Sequence, residues 1–491
     1  MSPIVSTPLG EIRGSTTAGG IHTFLGIPYA AAPVGPLRFE PPRPHAGWQS
    51  ALDATVYGAT APQRESTGPL AELLPNVVIA GDDYLNLNVW TPDTAASLPV
   101  MVFVHGGSFT GGSGAVGGYD GGAFARDGVV LVTINYRLGA DGFAWFGDGT
   151  ANLGMLDQIA ALEWVRDFIS AFGGDPARVT VFGESAGGMS VGALLAMPAA
   201  RGLFRRAILE SGAAHHAISA ESALLVANRL ADILGVERSR EGLATVSTER
   251  LLAAQAQLGT EVSKKPSKKL WGDVAANGLP FEPVIDGDTL PAEPITAIAD
   301  GASSGVDILV GYNAEEAMLA FAPGGDLGKI RGWLLYFLAI RVGLPPVRAA
   351  RTYRAARPTA RAVDRISDML TDWIYRIPAV RLAEAHPGSH VYEFAWRSPA
   401  FDGEYGAGHG AELPFVFDNL GVTDWAMMTG GTAAQSLADE MHGAWVRFAT
   451  TGDPGWPPYS TATRTVKRFD TVSTVVVDPS PSTRELWEGR R

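Results

Sequence analysis

Val179-Thr180-Val181-Phe182-Gly183-Glu184-Ser185-Ala186-Gly187-Gly188 is the stretch from which the rest of this chain is read. An apolar run ends in a glycine-flanked turn, and small residues compatible with a helix continue through Met197. A strand, a sharp turn and a helix with a serine at the apex describe a nucleophile elbow. The glycines remove side chains that would clash in the turn, so the Ser185 hydroxyl stands exposed above a sheet edge. The pattern Gly-x-Ser-x-Gly is weak by itself in a chain with 59 glycines. It recurs at Ser190, which falls inside the expected helix, and at Ser303, which precedes a strand instead of following one. Only Ser185 has the flanking elements that give the motif its mechanics.

The bulk composition sets outer limits. At 491 residues with 46% hydrophobic and 18% charged residues, the sequence describes a well-packed globule. No apolar run is long enough to span a bilayer, and the N-terminus shows no basic region followed by an apolar core. A net charge of −13 disfavours nucleic acid and anionic membrane as partners. Cysteine is absent, which excludes disulfides, thiolate metal sites and cysteine nucleophiles and fits a cytoplasmic protein. Arg, Ala, Gly and Pro dominate, as in a GC-rich bacterial genome. Four of the six lysines fall in Lys264-Lys265-Pro266-Ser267-Lys268-Lys269, which reads as a solvated loop.

Strand and helix signals alternate along the chain. Ile21 to Phe24 and Leu85 to Trp90 are strand candidates; Val100 to Val104 and Val129 to Ile134 are short continuous apolar runs, as in strands buried on both faces. Ile159, Leu162, Val165, Ile169 and Phe172 recur at helical spacing, which predicts a helix from about 156 to 172, stopped by Gly173-Gly174. Further strands are expected at Arg206 to Glu210, Val306 to Val310 and His390 to Trp396, and a helix at Asp439 to Thr451. Two mainly helical stretches, about 213–305 and 317–388, interrupt the alternation. The pattern predicts one α/β domain over residues 1–491 with a mostly parallel central sheet, flanking helices and two helical insertions.

A serine hydroxyl needs a base, and the base needs an acid to fix its tautomer. In a sheet of this kind each is expected on a loop at the carboxyl end of a strand, in the order nucleophile, acid, histidine. Gly311-Tyr312-Asn313-Ala314-Glu315-Glu316 follows the strand at 306–310, and Gly406-Ala407-Gly408-His409-Gly410 follows the strand at 390–396. Ser185, Glu316 and His409 then leave the same sheet edge. His105-Gly106-Gly107 follows the strand at 100–104. Its glycines let backbone N–H groups of Gly106 and Gly107 converge with that of Ala186 to hold an oxyanion.

With these residues in place, the chain resembles the type-B carboxylesterases, the para-nitrobenzyl-esterase-like and cholinesterase-like branch of the α/β-hydrolases. The resemblance rests on ordered matches over nearly the whole length. They include Phe24-Leu25-Gly26-Ile27-Pro28-Tyr29, Asp82-Asp83-Tyr84-Leu85-Asn86-Leu87-Asn88, Asn135-Tyr136-Arg137-Leu138-Gly139, Phe172-Gly173-Gly174-Asp175-Pro176, Glu210-Ser211-Gly212 and Thr451-Gly452-Asp453-Pro454. It implies an α/β-hydrolase fold and serine esterase chemistry without cofactor or metal. It carries the family's triad onto Ser185, Glu316 and His409 and its oxyanion donors onto Gly106, Gly107 and Ala186. It also implies two structural ion pairs, Arg38 with Asp82 and Arg137 with Asp175.

The sequence departs from that pattern in four places. Tyr84 stands where Cys is usual, Phe168 where Asn is usual and Glu210 where Gln is usual. Ala317 replaces the glycine that ends the acid loop, which leaves Glu315 and Glu316 both open as the acid; register favours Glu316. Among other candidates, adjacent His215 and His216 lack spaced partners for a metal. His442 reads as a packed or surface residue, Glu184 as a buried structural carboxylate, and Ser211 as a hydrogen-bonding neighbour of the triad. Trp333, Tyr336 and Phe337, at helical spacing, read as core.

The expected protein is a bacterial, cytoplasmic, monomeric serine carboxylesterase acting on short-to-medium acyl or aromatic esters through an acyl-enzyme. The insertions are expected to roof the site, the second supplying an apolar wall. A carbamate, amide or bulky-ester hydrolase using the same triad is the near alternative. A catalytically inactive binding protein of this fold is the distant one, opposed by the intact contexts of Ser185 and His409.

Overall fold

Val100 to Val104 and Val130 to Ile134 are fully buried, as continuous apolar runs require of strands covered on both faces. They belong to the larger of two units into which the chain divides in this computed structural model, which describes residues 2–325 and 327–490. That unit comprises Met1–Ser66, Asn76–Ile208 and His215–Val306. Its principal strands are β1 (His22–Pro28), β2 (Asn86–Thr91), β3 (Leu98–Val104), β4 (Val130–Ile134) and β5 (Gly174–Glu184). They lie in the order β5-β3-β4-β2-β1. β3 runs parallel to both β4 and β5, whereas β2 is antiparallel to β4 and to β1. Val102 is paired with Val132 on one side and Val181 on the other, which fixes the register beneath the elbow.

Helix α1 (Leu153–Phe168) begins three residues before the expected start and passes into a tighter 3-10 turn, Ile169–Phe172. Gly173, at φ 80°, ends it. Asn152 precedes α1 at φ 60°; its side chain is engaged by the Val284 carbonyl and Thr289, not by the helix start. α2 (Ala186–Leu194) follows the elbow. In the first insertion α3 (Ala220–Leu234) and α4 (Thr248–Lys264) are joined by a bidentate Arg229–Glu261 pair, both bonds 2.8 Å.

The implied ion pairs are corrected by the structure. Arg137 pairs with Asp157 on α1, not with Asp175: its Nε and Nη2 donate at 2.8 and 2.7 Å, and both side chains are essentially inaccessible. Arg38 pairs with Asp141, at 2.8 Å, instead of Asp82. Asp175 instead accepts from the backbone N–H of Ala177, and Asp82 is exposed. A buried guanidinium demands the buried carboxylate.

The second unit comprises Thr67–Pro75, Leu209–Ala214 and Asp307–Arg491. β6 (Arg206–Glu210) carries the division between the units. β7 (Asp307–Asn313), β8 (His390–Phe394) and β9 (Thr465–Phe469) run parallel, and β10 (Thr474–Val477) is antiparallel to β9. Its helices include α5 (Leu334–Arg341), α6 (Pro346–Ala356), α7 (Ala362–Thr371), α8 (Ile377–Ala385) and α9 (Gln435–Thr451). Leu335, Ala339, Tyr353, Met369 and Trp487 form a separate apolar cluster here. The core reading of the aromatic face on α5 is overturned. Tyr336 packs against that cluster, but Trp333 and Phe337 are 56% and 64% exposed. Helical spacing places residues on one face without saying which face is covered.

Candidate active site

Ser185 follows β5 and caps α2 with φ 57° and ψ −122°, a conformation that non-glycine residues rarely adopt. Backbone crowding explains the flanking glycines. A Cβ on Gly183 would come within 2.6 Å of Val104 O and of the Gly187 carbonyl carbon, and one on Gly187 would overlap Val104 O. The elbow therefore sits directly against the end of β3. Ser190 is buried inside α2, where its Oγ accepts from Gln158 Nε2 at 3.1 Å. Ser303 is buried ahead of β7.

The loop after β3 lies beside this turn. A Cβ on Gly106 would meet Ser185 Cβ at 3.0 Å and Glu184 O at 2.8 Å, so only glycine lets this backbone approach the nucleophile. Gly107 has φ 111°, and its carbonyl accepts from Thr110 and Gly111 N–H, each at 3.0 Å. Ala186 opens α2, so its N–H is among those that a helix start leaves without an intrahelical acceptor. His105 supports the loop. It is buried, stacked on Tyr136 at 4.5 Å, and its Nδ1–H donates to the Gly106 carbonyl at 2.8 Å. Burial pulls its imidazole down to about 4, so it is neutral at physiological pH.

In the second unit, Glu316 and His409 come together. His409 Nδ1–H donates to Glu316 Oε2 at 2.6 Å, with Glu316 fully buried and His409 4% exposed. The Asn313 N–H donates to the other carboxylate oxygen at 2.7 Å, which fixes the plane of the acid. Glu315 turns elsewhere: it accepts from the Ala407 N–H at 3.1 Å and pairs with Arg397. His409 is further held by the Tyr405 hydroxyl, which donates to its carbonyl, and by the ring of Tyr375 at 4.9 Å.

Sequence reasoning missed two residues here. Asn313 Nδ2 donates to the Gly408 carbonyl at 2.8 Å and to Glu412, linking the acid loop to the histidine loop. Glu412 is fully buried and also accepts from Ser211 Oγ at 3.3 Å, the position at which Ser211 meets this network. A lone carboxylate inside the apolar run Gly410-Ala411-Glu412-Leu413-Pro414 was the available signal, since such a charge is buried only with partners. Glu210 accepts from Trp445 Nε1 at 2.6 Å, a scaffold contact between β6 and α9. His442 on α9 is buried and donates through Nδ1 to Val416 O at 2.8 Å. In the larger unit, buried His216 faces Glu282 at 3.9 Å.

A carboxylate-held histidine and a strained serine at a helix head match the elements of a serine hydrolase, and comparison with known proteins is direct. The carboxylesterase family model matches residues 1–327 and 348–482. The chain belongs to the carboxylesterase family. It is 40% identical to para-nitrobenzyl esterase of Bacillus subtilis, with 98% of each chain covered. It is 36% identical to phenmedipham hydrolase of Pseudarthrobacter oxydans over 93% of each. Among solved structures, a para-nitrobenzyl esterase superposes with a TM-score of 0.85 at 39% identity, covering 99% of both chains. A Geobacillus stearothermophilus carboxylesterase gives 0.85 at 37% identity, covering 99% of this chain. The carboxylesterase therefore has the α/β-hydrolase fold and is a carboxylic ester hydrolase. None of its described helices is long and apolar enough to cross a membrane.

Proposed function

We propose that this carboxylesterase works through Ser185 as nucleophile, His409 as base and Glu316 as the acid that orients it. The observation that carries this reading is the buried 2.6 Å bond from His409 Nδ1 to Glu316, which leaves Nε2 as the basic nitrogen. His409 Nε2 takes the Ser185 proton as Oγ attacks the ester carbonyl carbon. The N–H groups of Gly106, Gly107 and Ala186 hold the resulting oxyanion. The proton passes from His409 to the leaving oxygen, the C–O bond breaks and the alcohol departs. Water, deprotonated by the same histidine, then releases the acid and regenerates Ser185. An organophosphonate adduct tests the assignment: peptide mapping is expected to find it on Ser185, and labelling at Ser190 or Ser303 in its place overturns the mechanism.

The substrates of this reading are short-to-medium acyl esters and aromatic esters, taken in a pocket that the helical insertions at 213–305 and 317–388 roof. The similarity to a para-nitrobenzyl esterase supports an aromatic alcohol or acyl group. Hydrolysis of carbamates, amides or bulky esters is a second reading, favoured by similarity to the phenmedipham hydrolase. A panel of acyl chain lengths, aryl esters and aryl carbamates separates the two by kcat/KM.

A further inference from the structure

Helix α5 is apolar on both sides. Its inner residues Leu335 and Ala339 are buried in the cluster of the second unit. Its outer side presents Trp333, Phe337 and Ile340, 56%, 64% and 63% exposed, spaced four and three residues apart. Trp333 and Phe337 lie edge to face at 5.3 Å, so they form one patch. A surface helix ordinarily turns polar residues outward; contiguous exposed apolar side chains mark a docking face.

The charge around this patch selects the partner. From Leu327 to Val363 the sequence contains Lys329 and seven arginines and no Asp or Glu, in a chain whose net charge is −13. Arg357 and Arg361, at the far end of this stretch, are paired with Asp368 and with Asp364 and Glu404, so the excess rests on the residues nearer α5. Arg331 and Arg341 bracket α5, and Arg348, Arg351 and Arg354 on the adjoining helix α6 are exposed with them. Charges beyond about 10 Å are largely screened at 0.1 M salt, so a docking surface feels this local excess more than the whole-chain balance. The expectation that an acidic protein avoids anionic membranes follows from the net charge alone and misses this distribution. The family match stops at residue 327 and resumes at 348, so the patch lies in a stretch outside it.

We propose that α5 and the basic residues beside it dock the enzyme on the surface of an anionic phospholipid bilayer. Trp333, Phe337 and Ile340 enter the headgroup boundary, and the flanking arginines contact lipid phosphates. The helix lies in the interface, since eight residues cannot span a bilayer. A second copy seated on the same patch through a two-fold axis would bring two arginine-rich surfaces together, which disfavours that occupant.

Vesicle flotation of the full chain tests this proposal. The protein is expected to float with phosphatidylcholine vesicles containing phosphatidylglycerol and to remain behind with phosphatidylcholine alone. High salt is expected to release it. Trp333→Ser combined with Phe337→Ser should lower binding by about tenfold or more, as should Arg331→Glu combined with Arg348→Glu. Circular dichroism and melting temperature confirm that each variant is folded. Equal binding to both vesicle types, no binding to either, or undiminished binding by the folded variants overturns the proposal. So does a concentration-dependent dimer in sedimentation velocity that Trp333→Ser with Phe337→Ser abolishes.

Discussion

Replacing Glu316 by Gln and, separately, Glu315 by Gln distinguishes two adjacent carboxylates that the sequence alone leaves in competition. The Glu316→Gln side chain is close in size and retains an oxygen for the Asn313 N–H, now at 2.7 Å from Oε1. Its amide nitrogen would face His409 Nδ1, where the native pair is 2.6 Å apart. Two donors cannot share that contact, so the imidazole must shift its proton to Nε2 or turn away. Either response removes the base in the mechanism proposed for Ser185. An acid-to-amide change at the same position of a serine triad costs about 10⁴ in kcat, or about 5.4 kcal/mol of barrier. Glu315→Gln has a different consequence. It weakens pairs with Arg397 and Arg357, whose side chains are 57% and 40% exposed. Pairs of that exposure contribute up to about 1 kcal/mol, and the amide oxygen still accepts from Ala407. A loss in kcat of less than about tenfold is expected. Steady-state hydrolysis of an aryl acetate, with melting curves as the folding control, reads both. Equal losses, or the larger loss at Glu315 in a folded protein, would refute the assigned acid.

Three further outcomes are expected. Gly187→Ala places a Cβ against the carbonyl of Val104 and is expected to abolish folding or lower the melting temperature sharply, whereas Gly259→Ala on α4, where a Cβ meets nothing within 4 Å, is expected to stabilise by up to about 1 kcal/mol; a neutral Gly187→Ala would contradict the packing at the elbow. Burial raises the Asp368 carboxyl to about 6 despite its 2.8 Å bond from Arg357. A raised acid contributes stability that is present below its unfolded value of about 4 and lost as pH rises through about 6, so Asp368→Asn should flatten the fall in melting temperature across that window, and parallel curves would exclude the linkage. Neutral aryl esters should exceed matched choline esters in kcat/KM, and the reverse order would remove the apolar pocket proposed for the insertions.

The elbow was legible because its constraints are local and steric. Glycines at 183 and 187 and an apolar strand before Ser185 are demands of the backbone, and the φ of 57° at Ser185 is their result. Strands β3 and β4 were legible for a similar reason: a continuous apolar run has no wet face to offer. The pairing of Glu316 with His409 followed from loop order after β7 and β8. The strand after Gly173 extends from Gly174, well ahead of Val179, and this early start was not legible because its first residues lack the apolar run that marked the rest.

Partner identity is the property that sequence carries least well. Arg137 had acidic residues at several separations, and only the fold shows that Asp157 on α1 comes within a bidentate bond of it while Asp175 remains near solvent. Glu412 illustrates the same point from the other side. Its carboxylate sits among apolar residues in sequence, yet it is reached by Ser211 and Asn313 from distant loops, and those contacts determine where the histidine loop rests. The periodicity at 333–337 predicts a shared face correctly, but burial of that face depends on what lies opposite it. On α5 the inner face meets the second unit's apolar cluster and the outer face meets solvent, although both are apolar. A pattern that would make a core helix in one setting leaves an unpartnered surface in another. The arginines around it give that surface a chemical preference, and this preference makes the exposed aromatics testable as a docking site.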